Sequence, residues 1–216
     1  MPRTAYLAAL WLFACSSGDK PVPFDDGRET APVSEGTAVA RLDYPSAPFG
    51  TTAGAVIENH SFLGWADPKA AAFNVDRLEP HSLAEYYDPT GAKGIRYLVI
   101  TSTAVWCSAC KAEYQDMATK VASYSKRGVV FMGALFQDNG SKPAQPSDLA
   151  TWAKTYAVRF PFVLDPELKL GAFFDVEATP MVMIVDTRKM EIVNIEEGWA
   201  STGDGSVWAF LDRKLP

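Results

Sequence analysis

Histidine and cysteine are scarce in this chain of 216 residues, with two of the first and three of the second. A structural zinc site wants four such ligands, usually from two cysteine pairs, and His60 and His81 stand far in sequence from the cysteines. Clustered lysine and arginine are missing too, and the net charge is −6, which argues against a phosphate-binding face and so against nucleic acid. The small group Ser125-Lys126-Arg127 reads as a solvated helix end, favourable near the negative end of the helix dipole. No apolar run approaches the ~20 residues that span a bilayer, and no internal repeat is evident. Disorder is excluded as well, since nearly half the residues are hydrophobic, enough for one sizeable core.

What is present is a cysteine pair in an informative place. Val105-Trp106-Cys107-Ser108-Ala109-Cys110-Lys111-Ala112-Glu113 follows the β-branched run Tyr97-Leu98-Val99-Ile100, which has the pattern of a buried strand. Beyond it, Ala112, Met117, Val121 and Ala122 recur at roughly helical spacing. The pattern predicts Cys107 at a helix start and Cys110 one turn in. There the positive end of the helix favours thiolate over thiol, and the two sulfurs can close to a disulfide without large backbone movement. A redox-active pair is the leading expectation, with a static disulfide or half of a metal site as alternatives.

The third cysteine belongs to the N-terminus. Arg3 precedes the apolar run Ala5 to Ala14, which suits the core of a signal peptide and is too short to span a membrane. The run ends in Leu12-Phe13-Ala14-Cys15, which resembles the bacterial lipoprotein box; an ordinary cleaved signal is the alternative. By that resemblance residues 1–14 are a lipoprotein signal peptide and Cys15 is the lipidated residue that anchors the protein to a membrane. Ser16 after it favours the outer membrane, by analogy with enterobacterial sorting. Residues 15–53, broken by Pro21, Pro23, Pro32, Pro45 and Pro48, read as a tether.

The folded domain is expected over 54–216. Short strands are predicted at Ala55–Ile57 and Ser61–Trp65, a short helix from Ser82 to Tyr87, and a turn at Asp88-Pro89-Thr90-Gly91. A strand at 96–101, the cysteine helix to Lys126 and a second buried strand at 129–136 follow. Ser147 or Asp148 should cap a helix to Tyr156 with Leu149, Trp152 and Ala153 on one face. Phe162–Leu164 reads as a strand, Glu167–Phe174 as a short helix, and Met181–Val185 with Glu191–Ile195 as a hairpin. Ser206–Lys214 closes the chain as a helix. Alternating strands and helices with a terminal hairpin predict an α/β domain with a mixed sheet.

The domain resembles the thioredoxin fold, and more narrowly the TlpA/ResA-like, redoxin-type thiol–disulfide oxidoreductases of bacterial envelopes. The residues that carry the likeness are Trp106-Cys107-Ser108-Ala109-Cys110, Glu113, Phe160-Pro161 before Asp165, and Ala178-Thr179-Pro180 before the last hairpin. They span roughly 55–200, and the interval between Cys110 and Pro180 leaves room for a redoxin-type insertion. The resemblance implies a mixed central sheet flanked by helices. It implies that Cys107, at an exposed helix start, attacks as a thiolate and that Cys110 resolves the mixed disulfide. Pro180 would be a cis-proline whose loop, with Thr179, binds the substrate chain, and Trp106 would shield one side. No cofactor beyond the cysteine pair is implied. The partners would be protein disulfides or dithiols and a membrane electron donor or acceptor, at the cell envelope facing the periplasm.

Two departures from the pattern matter. Thioredoxin carries a buried acid on its central strand where this chain has Thr101, so a relay of that type is missing. Glu113 matches a glutamate of ResA-like members and is a candidate proton acceptor near Cys110, with an exposed helix glutamate as the alternative. A peroxiredoxin-like peroxidase is the competing enzyme, but its Pro-x-x-x-Thr-x-x-Cys is replaced, with Ile100 and Ala104 at the two positions. A copper-binding module of redoxin fold is the competing binder and would want a histidine near the closing hairpin, which neither His60 nor His81 supplies.

Overall fold

A computed structural model describes residues 43–215. The signal peptide, Cys15 and most of the tether lie outside the described residues.

The order of elements is β1 (Ser61–Trp65), β2 (Glu79–Ser82), β3 (Tyr97–Ala104), α1 (Ser108–Ser125), β4 (Val129–Gln137), α2 (Pro146–Thr155), β5 (Phe162–Leu164), β6 (Met181–Asp186), β7 (Glu191–Glu197) and α3 (Val207–Lys214), with four short 3-10 turns between them. The strands form one sheet in the order β2-β1-β5-β4-β3-β6-β7. β3 pairs parallel to β4 and β4 parallel to β5, while β6 and β7 close one side antiparallel. β3 is buried along its whole length, which its continuous apolar and β-branched sequence allows at the middle of a sheet.

Aromatic side chains join the helices to the sheet. Tyr114 on α1 meets Trp152 on α2 edge-on at 5.3 Å and Phe162 on β5 at 5.7 Å. Tyr124, further along α1, lies 5.0 Å from Trp208 of α3, which also meets Phe131 of β4. The buried side of α1 is Cys110, Glu113, Tyr114, Met117 and Tyr124, which fall on one face of a 3.6-residue helix. The helix stands where its spacing places it, but Ala112 and Ala122 face solvent. Small alanines fit either side of a helix and mark its face poorly. The Tyr114 hydroxyl reaches down to β4 at Gly133, where a Cβ would collide with it and would stand 2.8 Å from Phe162 Cδ2. On the other side of the sheet Phe136 meets Phe174.

Several expectations need correction. β2 is absent from the sequence reading, because Pro80 argues against a strand; it is tolerated because β2 lies at the sheet edge and pairs with β1 alone. Ala55–Ile57 is not a strand but a segment held by isolated bridges, Val56 to Phe49 and to Glu191. Residues 43–53, read as the end of the tether, lie against the domain: the Tyr44 hydroxyl donates to the Ile57 carbonyl at 2.8 Å, and Gly50 N–H to Val56 O at 3.0 Å. The cap of α2 is Gln145, reciprocally bonded with Asp148, since Pro146 suits the first helical position and moves the start upstream. The helix expected over 167–174 is a 3-10 turn, Lys169–Phe173.

Candidate active site

The site sits where β3 ends. Val105 N–H still bonds Gln137 O at 2.9 Å, extending the parallel pairing, and Cys107 N–H turns back to Ala104 O at 3.2 Å. Cys107 is then the N-cap of α1 in extended conformation, and its Sγ accepts the Cys110 backbone N–H at 3.0 Å. The sulfur thus takes the place that a serine oxygen takes in an ordinary cap. Cys107 and Cys110 form a disulfide, their Cα atoms 5.3 Å apart. When the bond opens, that N–H and the helix dipole favour the Cys107 thiolate, and no acidic side chain in the first turn opposes them.

Thr179-Pro180 faces the pair from the start of β6, and its peptide bond is cis. The Thr179 carbonyl oxygen lies 3.5 Å from Cys107 Sγ. The loop is held from behind by a single N–H, that of Gly198, which donates to Ala178 O at 2.9 Å and to Pro180 O at 2.7 Å. The Thr179 hydroxyl adds a bond to Val176 O at 2.6 Å. This loop overturns the expectation of an exposed Cys107. The residue is only 3 % exposed and Cys110 is fully buried, whereas Ser108 between them faces solvent.

Trp106 is half-buried. Its indole N–H donates to Gln137 Oε1 at 2.9 Å and its ring stands edge-on to Phe136. Gln137 escaped the sequence reading, although a polar residue ending the apolar run of β4 is a signal of a strand end facing something polar.

Glu113 is not a surface glutamate. It is fully buried, one helical turn past Cys110, and the Thr101 hydroxyl donates to its Oε1 at 2.5 Å. Burial pushes the carboxyl up to about 8, against the opposing effect of the Thr101 bond. An acid therefore does reach the central strand, from the helix. Thr101, whose identity suggested a missing relay, is what holds it. Asp165 serves the fold: it accepts the N–H groups of Lys169 and Leu170 at 2.8 and 3.0 Å and so caps the 3-10 turn. Among the described residues no group of three or more His, Cys, Asp and Glu is placed to hold a metal. Ile100 and Ala104, at the positions of the peroxidase motif, are fully buried and offer Cys107 no hydroxyl.

Fold and site together define a redoxin, a thioredoxin-fold oxidoreductase that carries a Cys-x-x-Cys pair closed as a disulfide. The chain belongs to the AhpC/TSA family, whose model matches residues 67–194. Among solved structures it resembles a candidate thiol:disulfide interchange protein DsbE from Chlorobium tepidum, at 13 % identity and TM-score 0.57, over 76 % of this chain and 98 % of that one. It also resembles the thioredoxin domain of a thiol-disulfide oxidoreductase from Bacteroides vulgatus, at 15 % identity and TM-score 0.54, over 77 % of this chain and 100 % of that one. A third is the pneumococcal exposed lipoprotein thioredoxin of Streptococcus pneumoniae, at 18 % identity and TM-score 0.50, over 72 % of this chain and 99 % of that one. At these identities the likeness is one of fold. Among curated proteins no sequence match is found.

Proposed function

We propose that this protein is a thiol–disulfide oxidoreductase of the bacterial envelope that exchanges disulfides with protein substrates through Cys107 and Cys110. The observation that carries this reading is the pair itself, a disulfide capping a helix beside the Thr179 carbonyl. In the reducing direction the Cys107 thiolate attacks one sulfur of a substrate disulfide, and the other leaves as a thiolate that takes up a proton. Cys110, deprotonated by the ionised fraction of Glu113, which grows as pH approaches 8, then attacks Cys107 Sγ and expels the second substrate thiolate. The substrate gains two electrons, and a membrane donor restores the pair. Thr179 and Pro180 would bind the substrate chain, and Trp106 would shield the flank.

The competing reading within the family is peroxide reduction, and one comparison decides between them. Reduced protein is mixed with a disulfide-bonded reporter peptide or with hydrogen peroxide, and oxidation of the pair is followed by tryptophan fluorescence. The peptide should oxidise it at least tenfold faster at equal concentration; faster oxidation by peroxide sinks the disulfide reading. Titration of the reduced protein with cuprous ion tests the copper-binding alternative, which stoichiometric tight binding would restore.

The envelope location rests on Leu12-Phe13-Ala14-Cys15 and the apolar run before it. Cys15→Ala should remove lipid modification and move the protein from the membrane to the soluble fraction. Retention of the variant on salt-washed membranes would show that another feature anchors it.

A further inference from the structure

Four polar side-chain atoms on β3 and α1 are buried without a hydrogen-bond partner among the described residues: Ser102 Oγ, Thr103 Oγ1, Glu113 Oε2 and the Tyr114 hydroxyl. Buried polar atoms are nearly always bonded, so each of these asks for a reason. Thr103 is placed where the chemistry supplies one.

Helix and strand are tied at two points around it. At one end Cys107 N–H bonds Ala104 O; at the other the Thr101 hydroxyl bonds Glu113. Cys110 lies midway along the helix between Cys107 and Glu113, on the same side as Glu113 at a spacing of three. On the strand only Ser102 and Thr103 lie between Ala104 and Thr101. Side chains alternate along a strand, so Thr103 shares the α1 face with Thr101 while Ser102 points to the opposite one. Thr103 is therefore the β3 residue across from Cys110, and it is fully buried, as Cys110 is.

The geometry points to Thr103 as the hydrogen-bond donor to the Cys110 sulfur in the reduced protein, positioning and stabilising the resolving thiolate. In the oxidised form Cys110 Sγ is committed to the disulfide, and the hydroxyl has no partner. When the disulfide opens, the sulfur gains charge in a site without solvent, and Thr103 carries the unpartnered hydroxyl that strand alternation places on its side of the sheet, with no hydrogen bond joining the two in the oxidised form. The inference rests on the oxidoreductase reading above. The step it serves is the second one: Cys110 gives its proton to Glu113 where that carboxyl is ionised, attacks Cys107 Sγ, forms the Cys107–Cys110 bond and breaks the bond from Cys107 to the substrate sulfur, which leaves with its electron pair. The titratable groups beside this path are Cys110 itself, Glu113 and Tyr114. No charged side chain shifts Glu113, whose causes are burial and the Thr101 bond.

An aromatic disulfide, dithiobis-nitrobenzoate, separates the two steps, because each releases one coloured thiolate. With the reduced full-length protein the first equivalent reports attack by Cys107 and the second reports resolution by Cys110. Thr103→Val keeps the shape and removes the donor. The first phase should stay within twofold of wild type. The second should slow about tenfold, the scale of one hydrogen bond to a charged group, and its pH profile should move to higher pH. Thr103→Ser, which keeps a hydroxyl, should restore both rate and profile. A Thr103→Val second phase with wild-type rate and pH profile overturns the assignment, and so does equal slowing of both phases. Wild-type protein that releases no second equivalent overturns the oxidoreductase reading, and the assignment with it.

Discussion

Cys110→Ser should turn the protein from a catalyst into a trap. Cys107 keeps its place as helix cap and keeps the backbone N–H of residue 110, because that bond comes from the main chain. Attack on a substrate disulfide should therefore survive. Release should not, since the thiol that completes exchange lies one turn into the helix and nothing replaces it. Multiple turnover should fall by at least about a thousandfold, the loss typical when a covalent mechanism loses one of its reacting groups. On a non-reducing gel from cells the variant should run as discrete higher bands that dithiothreitol collapses. Cys107→Ser should give none, because Cys110 is fully buried one turn inside the helix and lacks the cap position that favours the Cys107 thiolate. Bands of equal intensity from Cys107→Ser would reverse the roles assigned to the two cysteines. Their absence from both variants, with intact folding, would remove the disulfide mechanism.

The second large effect is on stability. Glu113 titrates at about 8 when folded and near 4.5 when free, because burial disfavours its charged form. Between those values the folded chain holds a proton that the unfolded chain has lost. The stabilisation is then fully present below about pH 4.5 and is lost as pH rises towards 8, by up to about 1.4 kcal/mol per pH unit. At pH 7 this costs on the order of 3 kcal/mol. Glu113→Gln keeps an acceptor for the Thr101 hydroxyl and cannot ionise. Denaturant unfolding of the oxidised protein at pH 5 and at pH 8.5 should show wild type losing stability relative to the variant, which becomes the more stable at the higher pH. The disulfide keeps both cysteines from titrating during the measurement, and every other group is common to the two proteins. Parallel stability curves would mean that Glu113 ionises as freely as an exposed side chain.

The parts of the fold written in local pattern were legible. β5 was read at its observed limits, and β3, β4 and α1 within a few residues, because continuous β-branched runs and helical spacing carry their own signal. β2 was hidden by Pro80, whose usual meaning is reversed at a sheet edge. The placement of Cys107 at a helix start and Cys110 one turn in, close enough for a disulfide, was readable from the spacing. The burial of Cys107 was not, since the Thr179 carbonyl that covers it comes from a loop distant in sequence. The same limit applied to Thr101 and Glu113. Each was noticed, one as a lost acid and one as a gained acid, but only the crossing of α1 over β3 shows that they are two halves of one contact.

The space above Gly133 carries a consequence for the history of this chain. Tyr114 and Phe162 both occupy the volume that a side chain at 133 would need, so the two positions are not free to drift separately. A chain that gains the tyrosine must already have glycine there, and a chain that replaces glycine must first give up the hydroxyl and shift the ring of Phe162. In related sequences a tyrosine at 114 should therefore be accompanied by glycine at 133, and a graft of α1 onto another redoxin will need the glycine on the recipient's sheet.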